Sequence, residues 1–254
     1  MIFDTHAHYD DEQFDEDRDS LLCSMQEGGV GTIVNAGSDV ASWEDVRALT
    51  ARYPFIYGAA GVHPDDVGEL NEENFRRLRA VLQEEKMVAV GEIGLDYYWD
   101  NESHEVQKKW FIRQLELARE LEMPVIIHSR EAAADTLQIM KEHALGLEGV
   151  IHCFSYSAEM AREYVKMGFY IGVGGVVTFK NSRKLKEVVE ETPLEYLLLE
   201  TDCPYLAPVP NRGKRNSSLN LVYVAEQIAV LKQLSYDEVV EQTEKNARRL
   251  YNLL

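Results

Sequence analysis

The chain has 254 residues, 45% of them hydrophobic, and a formal net charge of −18. That length suits one large α/β domain over 1–254 with a substantial core, and the acidity argues against a polybasic nucleic-acid binder, whose affinity comes from Lys and Arg neutralising phosphates. Cys23, Cys153 and Cys203 are odd in number and lack metal-ligand spacing, which argues against a disulfide framework or a Cys-based zinc site and fits a reducing cytosol.

The N-terminal residues carry no basic segment and no long apolar stretch, so no signal peptide is expected. The longest charge-free stretch, 168–179, is too short and too glycine-rich to span a bilayer. These features point to a cytoplasmic protein without a membrane partner or an obligate protein partner.

Strand-like apolar runs fall at 2–6, 31–36, 55–61, 88–93, 125–128, 150–153, 169–173 and 196–200. Val, Ile and Leu dominate several of them, as expected for strands covered on both faces. Helix-like segments lie at 16–28, 40–52, 72–84, 103–121, 132–144, 157–167, 182–191, 218–233 and 236–252. In the fourth, Phe111, Leu115, Ala118 and Leu121 recur at helical spacing. Ser38, Asn71 and Ser235 are candidate N-caps, and Ser235 with Glu238 has capping-box spacing. Eight strands alternating with helices predict a (β/α)8 TIM barrel. An open doubly wound sheet fits less well, because it gathers polar residues at one switch point. Here polar residues end strands one, three, four, five, six and eight.

The chemistry follows in chain order. His6-Ala7-His8 places two imidazoles two apart, so period-two geometry points them the same way. They are metal ligands suited to Zn, Mn, Co or Ni, or else two hydrogen-bonding histidines. Asp4 lies on the same face and can orient a ligand. His63-Pro64 ends strand three; His63 is either a substrate contact and proton donor or a structural residue. Glu92 ends strand four between Gly91 and Gly94, and either bridges two cations or caps a loop. Asp96 and Tyr97 are read as loop-shaping residues.

His128 and His152 end strands five and six, and together with His-X-His and a glutamate they form a set hard to assign to packing alone. Cys153 is expected to point away from His152. In the run 172–175 the glycines are expected to give substrate room. Asp202 can ligate a metal and accept a proton from water, while Glu200 either steers ligands or pairs with Lys or Arg. Lys180, Arg212, Lys214 and Arg215 follow strands seven and eight, where barrels often bind phosphate; solvated loop cations are the alternative. Tyr97, Tyr98, Trp99 and Phe154 are candidate base-stacking rings or loop packing.

These residues lie in the motifs DTHAH, GVHP, GEIGLDYY, HSRE, HCFS, GVGGVVTFKN, LLETDCPYL and RGKRN, in that order along the whole chain. The series resembles the TatD family of metal-dependent deoxyribonucleases, a branch of the amidohydrolase-like barrels. The resemblance implies that His6, His8, Glu92 and Asp202 hold one divalent ion and Glu92, His128 and His152 a second. It also implies hydrolysis of DNA phosphodiester bonds at single-stranded ends with Mg²⁺ or Mn²⁺. The histidine-rich donor set equally suits Zn²⁺. Two positions depart from the family pattern: Ser217-Ser218 replaces Glu-Pro after RGKRN, and Tyr156 replaces Gly after HCFS.

The expected activity is therefore a two-metal deoxyribonuclease or exonuclease with Asp202, Glu92 and His63 as catalytic residues. An alternative keeps the barrel but cleaves an ester or amide, in an aminoacyl-tRNA or a small metabolite. A non-catalytic binding protein is a third reading, and the complete ligand set argues against it.

Overall fold

The computed structural model describes residues 1–99 and 101–253. The strands are β1 Ile2–Ala7, β2 Val30–Gly37, β3 Ile56–Ala60, β4 Met87–Asp96, β5 Val125–Arg130, β6 Gly149–Ile151, β7 Tyr170–Val173 and β8 Leu197–Leu199. The helices are α1 Arg18–Cys23, α2 Ser42–Arg52, α3 Glu72–Leu82, α4 His104–Glu120, α5 Ala133–His143, α6 Ala158–Lys166, α7 Arg183–Glu191, α8 Leu221–Lys232 and α9 Tyr236–Leu250. Neighbouring strands pair in parallel in the order β1 to β8. A bridge from Ala7 to Cys203 brings the exit of β8 back to β1. The fold is a (β/α)8 TIM barrel.

Side-chain alternation divides the core into two layers. Ile127, Ile151, Ile171 and Leu199 pack outward under the helices. Phe3, Val34, Ala59, Ile126, Val150 and Leu198 form the other layer, joined by Leu250 and Tyr251 from the end of α9 and just beyond it. Tyr251 stacks on Phe3, and its hydroxyl donates to the Thr5 carbonyl, so the α9 terminus packs onto the start of β1. Truncating a fully buried ring such as Phe111 to Ala costs about 3–5 kcal/mol at such a site.

Local chemistry sets the element ends. Asn71 accepts from the backbone N–H of Glu73 and Asn74, and Ser235 forms a capping box with Glu238. Ser38 caps nothing. Helix α2 begins later, where Asp39 accepts from Ser42 N and the Ser42 hydroxyl accepts from the Ser38 and Asp39 N–H groups. Helix α1 is shorter than its apolar pattern, and the segment after it turns through Gly28 and Gly29, the latter at φ +87°. Strand β6 stops at Ile151, and Cys153 adopts φ +45°. Alternation therefore does not carry to Cys153, which faces the central cavity instead of pointing away from it. Among the described residues no helix is long and apolar enough to cross a membrane.

Candidate metal centre

The C-terminal ends of β1, β4, β5, β6 and β8 deliver His6 and His8, Glu92, His128, His152 and Asp202 to one cluster. The seam between β1 and β8 sets the first contacts. Asp202 N donates to the His6 carbonyl at 3.0 Å and His8 N donates to the Cys203 carbonyl at 2.9 Å. Asp202 takes φ +57°, a conformation that a short polar side chain tolerates. Buried Asp4 fixes this seam by accepting from Thr201 N at 3.0 Å and the Thr201 hydroxyl at 2.7 Å. It reaches the His6 backbone and leaves Nδ1 of that ring without a partner, so it orients the loop that carries Asp202 rather than an imidazole.

Glu92 is buried and its two oxygens face different partners. Oε2 lies 3.3 Å from His6 Nε2 and 3.8 Å from His8 Nε2. Oε1 lies 2.7 Å from His128 Nδ1 and 3.4 Å from His152 Nε2. Asp202 Oδ1 is 3.4 Å from His8 Nε2, 3.8 Å from His6 Nε2 and 3.9 Å from His152 Nε2. His6 and His8 bring their Nε2 atoms within 3.0 Å of each other. Two ligands on one ion, with bonds of about 2.1 Å at 90–109°, stand about 3.0–3.4 Å apart. The donor set therefore suits a cation: ligand atoms of His6, His8 and Glu92 lie together, as do those of His6, His152 and Asp202 and those of His63, Glu92 and His128.

Outer partners fix the tautomers. His8 Nδ1–H donates to the Ala36 carbonyl at 2.8 Å, since a carbonyl only accepts, and this turns Nε2 toward His6 and Asp202. His128 directs Nε2 to Asp96 Oδ2 at 3.0 Å, which turns Nδ1 toward Glu92. His152 Nδ1 lies 3.4 Å from Glu200 Oε1.

Electrostatics follow the same layout. Burial opposes charge on every imidazole, but Asp202, Glu92 and Asp10 lift His8 to about 9, and Asp96 with Glu92 lifts His128 to about 9. Glu200, Glu92 and Asp202 likewise lift His152 to about 10. Glu92 is held well below the usual carboxylate range: burial opposes this, and His152, His6 and His128 outweigh it. The carboxylates thus create a centre that favours positive charge.

A match to the family model described as TatD related DNase runs over residues 3–252. The chain belongs to the TatD family. The metal-dependent hydrolase YabD of Bacillus subtilis is 45% identical over 254 residues, covering 100% of both chains. The 3′–5′ ssDNA/RNA exonuclease TatD of Cronobacter sakazakii is 34% identical over 257 residues, covering 98% of this chain and 97% of its own. The crystal structure of YjjV, a TatD homologue from Escherichia coli K12, superposes with a TM-score of 0.93 at 33% identity, covering 99% of this chain and 98% of that one. The protein is a metal-dependent hydrolase of the TatD family.

Other TatD-motif residues have assignments that sequence order left open or misplaced. His63 borders the same cavity, with its ring 4.3 Å from that of His128. Its Nδ1 accepts from Asp65 N at 3.2 Å, so Nε2 carries the proton. Burial and the neighbouring His128 push this imidazole down to about 3. A neutral ring with Nε2–H suits hydrogen-bond donation to an oxygen better than proton delivery.

The four basic residues of the β7 and β8 loops do not line the cavity around the cluster. Arg215 braces the N-terminal turns by pairing with Asp17 and donating to the Gln13 carbonyl. Arg212 lies over the Phe179 ring, and Lys180 and Lys214 are exposed. Among the described residues, Arg130 is the one Lys or Arg in the lining of that cavity of about 880 Å³. Two glycines of the run 172–175 make room for neighbouring protein groups. A Cβ on Gly172 would fall 2.2 Å from Glu200 Oε2, and one on Gly175 would fall 2.1 Å from the Leu206 carbonyl.

Glu200 has no Lys or Arg partner among the described residues, and accepts from Cys153 N at 2.5 Å. Ser218, one of the two departures from the family pattern, donates its hydroxyl to Asp4 at 2.6 Å and accepts from the Tyr9 hydroxyl. The Tyr156 hydroxyl meets Ser129 Oγ and Ala132 N, joining the loops after β5 and β6 without entering the cavity lining. Asp96 both shapes its loop and holds His128, a role legible only from the pairing of Gly94 with His128 across β4 and β5.

Proposed function

We propose that the protein is a nuclease that hydrolyses phosphodiester bonds at the ends of single-stranded DNA, with two divalent cations held by His6, His8, Glu92, Asp202, His128 and His152. The observation that carries this reading is the division of Glu92, one oxygen toward His6 and His8 and the other toward His128 and His152. Divalent ions held in this way supply Lewis-acid polarisation of a phosphate and acidify water. Mg²⁺, Mn²⁺ and Zn²⁺ are all compatible with the donor set, and the imidazole nitrogens favour Mn²⁺ or Zn²⁺.

The chain's own residues then act in fixed roles. Asp202, partly open to the cavity, takes the proton from the attacking water as the new P–O bond forms. Glu92 holds the two donor groups in register. His63 donates Nε2–H to an oxygen of the phosphate or of the departing sugar, and the cavity's solvent returns the proton to that oxygen.

The test is end-labelled single-stranded DNA incubated with Mg²⁺-, Mn²⁺- or Zn²⁺-loaded protein, beside an EDTA control and Glu92→Ala. Stepwise shortening that needs metal is expected, falling by at least roughly a thousandfold in the variant with its circular dichroism unchanged. Full activity of Glu92→Ala would remove its bridging role. The second reading, a metal-dependent esterase or amidohydrolase acting on aminoacyl-tRNA or a small metabolite, draws on Asp10, Asp11, Asp39, Asp65 and Asp66 in the cavity lining. That wall disfavours polyanions, and metal-loaded protein that cleaves no DNA would favour it.

A further inference from the structure

We propose that Trp99, with Arg130 beside it, is a stacking site for a nucleobase of a single strand whose phosphate lies at the metal centre; this rests on the nuclease reading above. Trp99 is 57% exposed and Tyr98 is 54% exposed, although both are large apolar rings. The other two tryptophans, Trp43 and Trp110, are 1% and 6% exposed. Of the rings singled out in the sequence as stacking candidates, Phe154 is buried and Tyr97 is engaged, its ring on His104 and its hydroxyl on Asp135. Trp99 belongs to the lining of the cavity that holds Glu92 and His128.

Arg130 completes the surface. Its guanidinium lies 3.8 Å from the Tyr98 ring centroid and 5.5 Å from that of Trp99. Stacking uses the π face of the guanidinium and leaves its five N–H donors at the edge. Among the described residues the Arg130 side chain makes no hydrogen bond or ion pair, in a chain with 44 acidic and 26 basic residues. A phosphate is a ligand that such a planar fork of donors takes up.

The position of the ring is tied to the site. Asp96 Oδ1 accepts from Tyr98 N at 2.8 Å and from Trp99 N at 3.4 Å, while Oδ2 of the same carboxylate meets His128 Nε2. One buried side chain therefore fixes both the rim ring and a metal-facing imidazole. Away from the metal-facing imidazoles, Arg130 is the one Lys or Arg among the described residues of a lining that carries Asp10, Asp11, Asp39, Asp65 and Asp66. Stacking on an exposed indole needs no charge, tolerates every base and adds affinity where the wall cannot.

The experiment reads tryptophan emission and affinity, independently of turnover. Mg²⁺-loaded protein is titrated with a phosphorothioate deoxythymidine decamer and with an abasic decamer of the same backbone. Expected are quenching of tryptophan emission by the first decamer alone and a Kd about tenfold tighter for it, a difference of ~1.4 kcal/mol. Trp99→Leu abolishes both the quench and the difference between decamers. Equal Kd values without quenching, in protein that still shortens DNA, overturn the stacking site and leave the nuclease reading intact. Failure to bind either decamer or to cleave DNA refutes both.

Discussion

Gly172→Ala tests how the β7 backbone makes room for the site. The added Cβ would lie 2.2 Å from Glu200 Oε2, 2.7 Å from Cδ and 2.9 Å from Oε1, so rotating the carboxylate cannot clear it. A relaxed contact needs about 3.5 Å, so the whole group must retreat by about 1 Å. Glu200 is 1% exposed, and its Oε1 holds Cys153 N at 2.5 Å and lies 3.4 Å from His152 Nδ1. Overpacking costs about 1–3 kcal/mol, and loss of a hydrogen bond to a charged group about 1.5–3 kcal/mol. With partial relaxation we expect ~3 kcal/mol in total, which for a chain of this size lowers Tm by about 6–12 °C. The retreat also lengthens the 3.4 Å approach of Glu200 Oε1 to His152 Nδ1, which is expected to weaken metal binding. Thermal unfolding by circular dichroism and Zn²⁺ titration against a chromophoric chelator measure the two effects. Glu200→Asp, combined with Gly172→Ala, shortens the side chain by one methylene and is expected to recover much of the Tm. An unchanged Tm together with unchanged Zn²⁺ affinity in Gly172→Ala would refute the reasoning.

Two further substitutions probe the cavity wall and the basic loop. Asp66 is pushed up to about 6 by burial and by Asp39, Glu69, Asp65 and Glu102. The folded state therefore holds its proton more tightly than the unfolded chain does. That destabilisation is absent below about pH 4, grows as pH rises through 6 and is complete above it. Asp66→Asn should raise stability at pH 7 by ~1 kcal/mol after allowance for partial exposure, with no gain at pH 4 in parallel urea titrations. A gain at both pH values would contradict the electrostatic cause. Arg215→Ala removes the pairing with Asp17 and the cover over Phe14, and should lower Tm while, under the nuclease reading proposed above, leaving KM for single-stranded DNA unchanged. A large rise in KM at unaltered Tm would return Arg215 to phosphate binding.

The sequence carried the barrel because its evidence is periodic and local. Eight β-type runs recur in the sequence and become β1 to β8, and Asn71 and Ser235 cap helices with side chains that reach only two or three residues onward. The histidines and carboxylates that end those runs were equally legible, since parallel strands in a barrel share one C-terminal mouth. Helix α1 and the start of α2 depart from the apolar pattern because turns after Cys23 and a side-chain-bonded turn at Asp39 and Ser42 override it.

The partners of each side chain were decided only in three dimensions. Lys180, Arg212, Lys214 and Arg215 look alike in sequence, yet pairing with Asp17 and packing over Phe179 draw two of them away from the cavity. Arg130, one residue in a strand-end motif, becomes the one Lys or Arg among the described residues of the cavity wall. Gly172 makes room for Glu200, and Asp96 holds His128, through contacts that cross 28 and 32 residues. Residue type and period are fixed along the chain. Which lone pair meets which proton depends on groups that only folding brings within about 3 Å.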